Sequence, residues 1–484
     1  MTPLDVVVVG AGITGLGVAR LAARHGLSVA VLERGDLASG ASGSTSHMLH
    51  GGLRYLEHGH FGLVRESLRE RCALAHMAPQ LAHPARFLVP FYRGDRRAPW
   101  MVRLGLAAYD AFAGRAGLAP HAAVRAKEAL ALEPDLESAE LLGAGLYSDV
   151  VMDDVGLAVA VARDAMARGV SISTYTEVIA ARPAQGDAVE IIARDRLEGR
   201  EVRHVARCVV NACGAWSDRT RATLLRSLHP GTPDHAPLLR PTRGTHLVFP
   251  RLTRGHGILL FARSDGRVFF VVPFGEHALV GTTEVEVASP PEDGAGRPAV
   301  DEVRYLRAEL RRALPGAAET PALAVTAGLR PLLAAGGGLS AASREHRIVQ
   351  DGPIFTLVGG KYTTFRVMAR DLVTAVVRWL RRAEPNVRDD EQPLPAPPAT
   401  EGDPEALVEY AVKRAFARRL DDVVRRRSRL WLTPDRGRIA APALAAAMAR
   451  HLDWSPERAR EELEAFHAGL EREDRILDAA RAGP

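Results

Sequence analysis

The chain contains little cysteine, little lysine and no long apolar run. Its 484 residues include 3 cysteines, at positions 72, 208 and 213, and these have no metal-ligand spacing. A disulfide-stapled fold and a zinc site are therefore excluded, no metal is expected, and a reducing compartment such as the cytoplasm is indicated. No segment approaches the ~20 apolar residues of a membrane-spanning helix, and the N-terminus predicts a buried strand instead of a secretory signal.

Hydrophobic residues make up 47% and charged residues 25% of the chain, which is the composition of a globular protein with a large core. The net charge of +5 is small for this length. It suits an anionic substrate or an anionic membrane surface and does not predict nucleic-acid binding. Arginine carries almost all of the positive charge, because the only lysines are Lys127, Lys361 and Lys413. A lysine within a motif is therefore a candidate functional residue.

The first part of the chain predicts a β-α-β unit. Residues 5–9 are a β-branched run, residues 16–25 are rich in alanine and leucine, and residues 27–32 form a second apolar run that Glu33 follows. The turn between the first strand and the helix is Gly10-Ala11-Gly12-Ile13-Thr14-Gly15. The spacing predicts a dinucleotide-binding site, with an ordinary tight turn as the alternative.

Each part of this turn has a physical role in nucleotide binding. Gly10 allows the tight turn, Gly12 lets a pyrophosphate approach the backbone, and Gly15 lets the helix and the strand pack closely. The acidic residue binds a ribose diol and disfavours the 2′-phosphate of NADP. The unit alone leaves NAD and FAD open, but its position at the N-terminus, far from the later strands, favours FAD.

The rest of the chain predicts a mixed α/β protein. Short strands and turns between residues 247 and 283 indicate an antiparallel sheet, and residues 385–404 contain six prolines and predict a linker before a helical tail. Further helices are predicted at 62–77, 157–168 and 364–381, and further strands at 170–173, 178–181, 189–193, 202–210 and 354–358.

Several sequence blocks resemble those of the FAD-dependent, respiratory glycerol-3-phosphate dehydrogenases, within the D-amino-acid-oxidase-like flavoproteins. The blocks follow in family order along nearly the whole chain: His50 to Glu57, Met77 to Pro79, Asn211 to Trp216, Arg243 to His246, Gly281 to Thr283, Gly328 to Leu332, and Gly359 to Arg366. The resemblance extends into the C-terminal helices, around residues 410–432.

The resemblance implies a fold, a reaction and partners. The fold is a Rossmann-like FAD-binding domain (segments of about 1–80, 150–220 and 340–384) interleaved with an antiparallel-sheet substrate domain (about 81–149 and 221–339), and a C-terminal helical domain (405–484). The reaction is oxidation of sn-glycerol 3-phosphate to dihydroxyacetone phosphate, with FAD as cofactor and a quinone as electron acceptor. The implied location is the cytoplasmic face of a membrane, bound peripherally, and a homodimer is compatible with it.

A phosphate ester calls for arginines, whose fork geometry suits a phosphate dianion. The resemblance places Arg54 and Arg330 in phosphate-binding blocks, with Tyr55 beside the first. Arg267 and Arg344 are further candidates, for which exposed salt bridges are the alternative.

Oxidation of a secondary alcohol requires a hydride acceptor, which a flavin supplies, and a base for the hydroxyl proton. His246 is the first candidate base and His50 the second, and either imidazole could instead bind a buried carbonyl. Lys361 follows two glycines, where a compact cation could balance charge on the flavin or orient the substrate oxygen.

The remaining candidates are expected to bind the cofactor. The second helix start, at Gly359 and Gly360, would face the flavin ring or its ribityl chain, and Val178 would offer its backbone to adenine. Together with the glycine turn and Glu33, the cofactor set contains Arg34, Ser42, Ser44, Thr45, Ser46, Asn211, Gly214, Trp216, Thr363 and Thr364. For Thr363 and Thr364 helix capping is the alternative, and for the turn from Ser42 to Ser46 a solvated loop.

Two positions depart from the family pattern. His47 stands where the family commonly has lysine, and Gly156 where it commonly has arginine. If either missing cation helps to hold the phosphate or the cofactor, the sequence predicts the substrate less securely than the fold. One alternative is therefore a related enzyme that acts on another polyol phosphate or small hydroxy acid. The others are a flavin oxidase that uses oxygen, a non-catalytic nucleotide-binding protein and a nicotinamide dehydrogenase.

Residues 100–125 mix large apolar side chains with arginines. Trp100, Met101, Leu104, Tyr109 and Phe112 could form the apolar face of a helix that lies on an anionic bilayer. A helix packed on the core with a solvated basic face is the alternative.

Overall fold

We describe the protein from a computed structural model. It describes residues 3–53, 56, 59–114, 117–231, 233, 235–292, 296–317, 319–334, 345–383, 392–400 and 402–481. The strands are β1 (Leu4–Val9), β2 (Val29–Leu32), β3 (Met48–Leu49), β4 (Ala82–Tyr92), β5 (Ala122–Arg125), β6 (Leu141–Met152), β7 (Ser171–Ser173), β8 (Thr176–Pro183), β9 (Val189–Asp195), β10 (Glu201–Asn211), β11 (Thr242–Pro250), β12 (Gly257–Phe261), β13 (Val268–Phe274), β14 (His277–Gly281), β15 (Val285–Glu286), β16 (Ala324–Arg330), β17 (His346–Asp351) and β18 (Ile354–Gly359).

The helices have mostly the positions that the sequence predicts. They are α1 (Ile13–Arg24), α2 (Phe61–Met77), α3 (Pro99–Ala113), α4 (Ala126–Leu132), α5 (Asp154–Ala167), α6 (Ser217–Leu228), α7 (Val300–Ala313), α8 (Phe365–Trp379), α9 (Pro404–Ala415), α10 (Ala441–Leu452) and α11 (Pro456–Arg481). Shorter helical turns occur at Leu420–Asp422 and Val423–Arg427. Among the described helices, none combines the length and the apolar character needed to cross a bilayer.

The first sheet contains the predicted β-α-β unit. Its strand order is β17-β18-β10-β1-β2-β7, with β9 and β8 attached beside β10. Strand β1 pairs in parallel with β2 and β10, and β10 pairs in parallel with β18. The carboxyl ends of these strands therefore meet at one edge, which is where open α/β sheets bind their ligands.

The valine run of β1 fills both faces of this sheet. Val6 and Val8 pack into the core that contains helices α1, α5 and α8, whereas Val7 and Val9 pack toward β9 and α6. Successive side chains of a strand point to opposite faces, so a run of buried valines requires cover on both sides. The predicted α/β class is confirmed.

The second sheet is largely antiparallel, as the sequence predicts for the substrate side. Its strand order is β15-β11-β14-β13-β12-β4-β6-β3, with β16 beside β11 and β5 beside β6. Helices α2 and α3 cover one face of the sheet, and α7 covers the other together with Leu477 and Ala480 of α11. The last helix of the chain therefore completes the core of the second sheet.

The proline-rich segment (residues 392–400) and the C-terminal helical region (residues 404–481) pack against the first sheet. Leu394 is buried in the first core, and its N–H donates to the Met77 carbonyl oxygen (2.7 Å). Arg163 donates to the carbonyl oxygen of Ala396 (2.8 Å). Helices α9, α10 and α11 enclose a core of their own. The predicted helical tail is therefore present, and the domain boundaries themselves stay a prediction.

Candidate active site

A cavity of about 740 Å³ lies between the two sheets, where the strands of the parallel sheet end. Residues that follow β1, β2 and β10 line one end, and residues from β11, β13 and β16, with those that follow β18, line the other. We call these parts the nucleotide end and the substrate end.

The glycine turn forms the wall of the nucleotide end. Gly10 has φ +104°, and a Cβ there would lie 2.7 Å from the Ala212 carbonyl oxygen. A Cβ at Gly15 would lie 2.0 Å from the carbonyl oxygen of Gly10, so this glycine permits the close packing of helix on strand. Gly12, Ile13 and Thr14 line the cavity, whereas Gly15 does not.

Glu33 and Ser42 hold this turn in place. The Glu33 carboxylate accepts the N–H of Ala11 and the N–H of Gly35, each at 2.8 Å. Burial raises the pKa of Glu33, although these two backbone donors oppose the change. The Ser42 hydroxyl oxygen accepts the N–H of Ile13 (3.0 Å). Each carboxylate oxygen keeps a second acceptor position, which leaves Glu33 able to bind a ribose diol.

The hydroxyl-rich turn continues along the cavity toward the substrate end. Ser42, Ser44, Thr45 and Ser46 all line it. Thr45 donates to the buried Asp154 carboxylate through its hydroxyl (2.7 Å) and its N–H (3.1 Å). The turn is therefore held against α5 and is not a solvated loop.

His246 lies at the substrate end on β11. The side chain is buried, and its Nε2 lies 2.8 Å from Ser46 Oγ. Among the described residues, its buried Nδ1 has no hydrogen-bond partner. A Cβ at Gly281 would lie 2.3 Å from the ring, so that glycine makes room for the imidazole. Burial, with smaller effects of Arg330 and His47, lowers the pKa of His246 to about 3, so the ring is neutral at neutral pH.

Lys361 and His50 meet in the same part of the cavity. The Lys361 ammonium donates to the His50 carbonyl oxygen at 3.1 Å, and the Thr363 hydroxyl lies 3.5 Å from the same oxygen. Gly359 and Gly360 both have positive φ, +79° and +83°, which turns the chain sharply out of β18 and places the lysine in the cavity.

Two predicted substrate arginines line the cavity. Arg330, at the end of β16, donates to Thr282 Oγ1 (2.6 Å) and to the Thr283 carbonyl oxygen (3.0 Å). Arg267 donates to the Glu284 carbonyl oxygen (2.7 Å) and pairs with Asp265 (3.2 Å). With Lys361 these side chains bring three cations to the substrate end. Arg54, Tyr55 and Arg344 lie outside the described residues.

The structure brings most of the predicted cofactor residues to the cavity. Those lining it include Arg34, Val178, Gly214, Trp216, Gly359, Gly360 and Thr363. Asn211 and Thr364 do not line it: the Asn211 side chain donates to the Ser217 carbonyl oxygen (2.8 Å), and the Thr364 hydroxyl lies 3.3 Å from the Lys361 carbonyl oxygen. Asn211 therefore fixes the end of β10 from behind the cavity wall.

Neither departure from the family pattern lies in this cavity. His47 and Gly156 line a second cavity, between the first sheet and the helical region. Gly156 donates its N–H to Asp153 at the start of α5, and a Cβ there would lie 2.8 Å from the Asp153 carboxyl carbon. Neither position lines the substrate end, although His47 lies close enough to His246 to contribute to the lowering of its pKa.

The sequence matches a family model described as FAD dependent oxidoreductase over residues 5–362. The chain belongs to this FAD-dependent oxidoreductase family. A second model, described as the C-terminal domain of alpha-glycerophosphate oxidase, matches residues 375–459. FAD as cofactor is thereby confirmed at the level of the family.

Relatives with substantial identity to this oxidoreductase are named as polyol-phosphate dehydrogenases. It is 35% identical over 398 residues to "Glycerol-3-phosphate dehydrogenase 2" of Mycobacterium tuberculosis, covering 80% of this chain and 65% of that protein. It is 36% identical over 382 residues to "D-erythritol 1-phosphate dehydrogenase" of Brucella abortus, covering 75% and 72%. The chain thus spans about two thirds of the mycobacterial relative.

The fold is similar to that of solved flavoproteins. A glycerol-3-phosphate dehydrogenase from Bacillus halodurans, solved with FAD, superposes with a TM-score of 0.77 at 23% identity, covering 97% of this chain and 95% of that one. The predicted arrangement of an FAD fold with a C-terminal helical region is confirmed.

The nucleotide end fits FAD. Gly12 is the N-cap of α1 and offers no side chain, so the helix N-terminus is open to a pyrophosphate. A Cβ would meet the Ala212 carbonyl oxygen at Gly10 and the Ser42 hydroxyl at Gly12 (3.1 Å), so the tight turn requires both glycines, and Glu33 lines the same end of the cavity. These residues would hold the nucleotide, and the Gly359 turn with Lys361 would lie toward the flavin.

The structure adds residues of the substrate end that the sequence reasoning missed. Thr282, Phe261, Phe270, Tyr147 and Asp149 line the cavity. Thr282 lies in a block that carried the family resemblance, which was the only available signal for it. The other four residues lie on strands, where successive side chains point to opposite faces of the sheet. The sequence does not show which of these faces lines the cavity, because that depends on how the two sheets pack.

Asp149 is the most unusual of these residues because it is a buried carboxylate. Arg71 donates to it at 2.8 Å, and the Tyr109 hydroxyl donates at 2.9 Å. Burial raises the pKa of Asp149, while Arg71 and Lys361 oppose the change. The Tyr109 oxygen also accepts the N–H of Gly51 (2.7 Å), so this cluster holds the turn that follows His50.

This position of Tyr109 corrects the prediction that it belongs to a membrane-facing surface. Tyr109 is 1% exposed and points into the protein, whereas Trp100, Met101 and Leu104, at the start of α3, are 65%, 48% and 63% exposed. Residues 122–125, predicted within the same helix, form β5 instead.

Proposed function

We propose that this oxidoreductase oxidises sn-glycerol 3-phosphate to dihydroxyacetone phosphate. The observation that carries the proposal is the substrate end, where the cations Arg267, Arg330 and Lys361 share one cavity with the neutral imidazole of His246. A phosphate dianion requires several cations, and an alcohol under oxidation requires a neutral base. The names of the relatives are consistent with this pairing.

Different residues of the chain would bind the phosphate, orient the reacting oxygen and accept the proton. Arg330 and Arg267 would bind the phosphate, and Lys361 would orient the oxygen of the reacting carbon. His246 would accept the hydroxyl proton at Nε2, where the substrate oxygen would replace the Ser46 hydroxyl. When bound, FAD supplies the acceptor for the hydride that leaves the same carbon. One proton and one hydride leave the alcohol, and the product is a ketone.

A longer polyol phosphate is the second candidate substrate. The relative from Brucella abortus named for D-erythritol 1-phosphate is 36% identical and is covered over 72% of its length. The phosphate end of both substrates would meet the same cations, so only the length of the polyol distinguishes them. An amino-acid oxidase is less favoured, because the ammonium group of an amino acid would meet like charge at this end of the cavity.

Steady-state kinetics of the holoenzyme with an artificial electron acceptor tests the proposal. The substrates are sn-glycerol 3-phosphate, D-erythritol 1-phosphate, unphosphorylated glycerol and glycine. The proposal predicts the highest kcat/KM for glycerol 3-phosphate. A higher value for erythritol 1-phosphate would support the second candidate, and turnover of glycine alone would reject both.

The family resemblance also motivates a quinone as final acceptor and a peripheral membrane location. Phe61, Trp100, Met101 and Leu104 are all more than 45% exposed, and Arg103 lies among them. Apolar side chains beside a cation suit the surface of an anionic bilayer. Reoxidation of substrate-reduced enzyme by a quinone analogue, compared with dissolved oxygen in a stopped-flow instrument, tests the acceptor.

A further inference from the structure

One charged segment of the helical region contacts the nucleotide end of the cavity. This segment, Leu420–Asp422 with Val423–Arg427, carries three consecutive arginines and two aspartates. It lies against the loop that follows β2, which begins with Glu33. Arg426 lines the nucleotide cavity, although it belongs to the helical region.

Asp36 of this loop is the point of attachment. Arg427 binds both of its carboxylate oxygens, at 2.8 and 2.5 Å, and the Nε of Arg426 donates to one of them. The Asp36 side chain is 0% exposed and that of Arg427 1%. Burial opposes the charge on Asp36, but Arg427 and Arg426 outweigh it and lower the pKa. Removing either partner of such a pair leaves an uncompensated buried charge.

Tyr175 provides a second attachment beside the first. Its hydroxyl donates to Asp422 (2.7 Å), and its backbone N–H donates to the Gly35 carbonyl oxygen (2.9 Å). Tyr175 has φ +56°, a conformation that a residue with a side chain adopts only when its surroundings hold it there. The next N–H, of Thr176, donates to the Glu33 carbonyl oxygen (2.7 Å).

These contacts connect the helical region to the residue expected to bind the ribose. Glu33, Asp36, Tyr175 and Thr176 all line the nucleotide end. An unpaired negative charge on Asp36 would disfavour the charged form of Glu33, only three positions earlier in the chain. Arg426 and Arg427 cancel that charge and fix the loop at the same time.

We infer that the helical region retains the cofactor: Arg426 and Arg427 clamp the Asp36 loop, so that docking of this region and binding of FAD stabilise each other. Such coupling is reciprocal, because whatever docking adds to FAD affinity, FAD must add to docking. The inference rests on FAD binding and is independent of which substrate is oxidised.

The test measures both sides of this coupling in the full chain. FAD is removed from the wild type and from the Arg427→Met and Asp36→Asn variants, and the dissociation constant for FAD is measured by fluorescence titration. Amide hydrogen exchange in α9 and α10 is followed with and without FAD. We expect FAD to slow exchange in α9 of the wild type, and each variant to bind FAD about tenfold more weakly.

Arg436→Met is the matched control. Arg436 is also a buried arginine, with 4% of its side chain exposed, but its partners Glu473 and Asp474 lie within the helical region. We expect the control to bind FAD as tightly as the wild type. If Arg427→Met does not fold, Asp36→Asn, which preserves side-chain size, decides the outcome. The inference would be overturned if Arg427→Met and Asp36→Asn bound FAD as tightly as the wild type. It would also be overturned if FAD did not change the rate of amide hydrogen exchange in α9 of the wild type.

Discussion

Replacement of Arg330 by alanine separates phosphate recognition from the chemistry of oxidation. The guanidinium is held at the cavity wall by Thr282 Oγ1 and the Thr283 carbonyl oxygen. A hydrogen bond to a charged group contributes about 1.5–3 kcal/mol, which corresponds to a loss of roughly 10- to 150-fold in kcat/KM for glycerol 3-phosphate. Unphosphorylated glycerol makes no such bond, so its kcat/KM, which we expect to be low, should change little.

Arg330→Ala has a second expected effect, on the pKa of His246, which replacement of a purely structural residue would not produce. Arg330 is one of the groups that hold the pKa of His246 down to about 3, after burial itself. Without that positive charge the pKa of His246 rises. A base must be neutral to accept a proton, so rate is lost as the pH falls through its pKa. The acid limb of kcat/KM should therefore move to higher pH in Arg330→Ala.

Both effects are measured by steady-state assays with a dye acceptor over a pH series, with the FAD content of each sample fixed by its visible spectrum. A variant that loses equal activity on glycerol and on glycerol 3-phosphate would refute the phosphate role. An acid limb that does not move would refute the electrostatic link between Arg330 and His246.

Three further substitutions test other parts of the structure. Lys361→Met should lower turnover while FAD stays bound. The control Lys413→Met, at an exposed ion pair in the helical region, should change neither turnover nor FAD content. Equal turnover in the two variants would remove Lys361 from the site. Arg71→Met should destabilise the holoenzyme by about 3–5 kcal/mol in urea unfolding, because it leaves the Asp149 carboxylate buried without its cation; a loss below about 1 kcal/mol would contradict this. Trp100→Glu should reduce co-sedimentation with anionic vesicles and leave dye-linked activity intact, and undiminished vesicle binding would reject the proposed membrane face.

The sequence predicted those features that depend on neighbouring residues. The glycine turn, the valine strand β1 and the helix after it are local patterns, and the structure has them within a few positions. Likewise the Gly359-Gly360 turn leads directly to Lys361, so its place in the cavity followed from the strand before it.

Features that depend on distant pairing were not predictable in this way. The helical pattern around Tyr109 does not reveal that its partner, Asp149, lies 40 residues further on. Asp36 and Arg427 are 391 residues apart, and the family resemblance around residues 410–432 does not indicate which residue Arg427 contacts. A buried charge is stable only with its partner, and the fold alone decides which partner that is.

Anaerobic titration of the purified holoenzyme with sn-glycerol 3-phosphate, followed in the visible spectrum, shows whether this cavity oxidises a polyol phosphate. We expect the yellow absorbance to be bleached as substrate is added, with dihydroxyacetone phosphate formed in equal amount to the flavin reduced. A spectrum that stays unchanged while chemical reductants still bleach it would contradict the assignment of this cavity to a polyol phosphate.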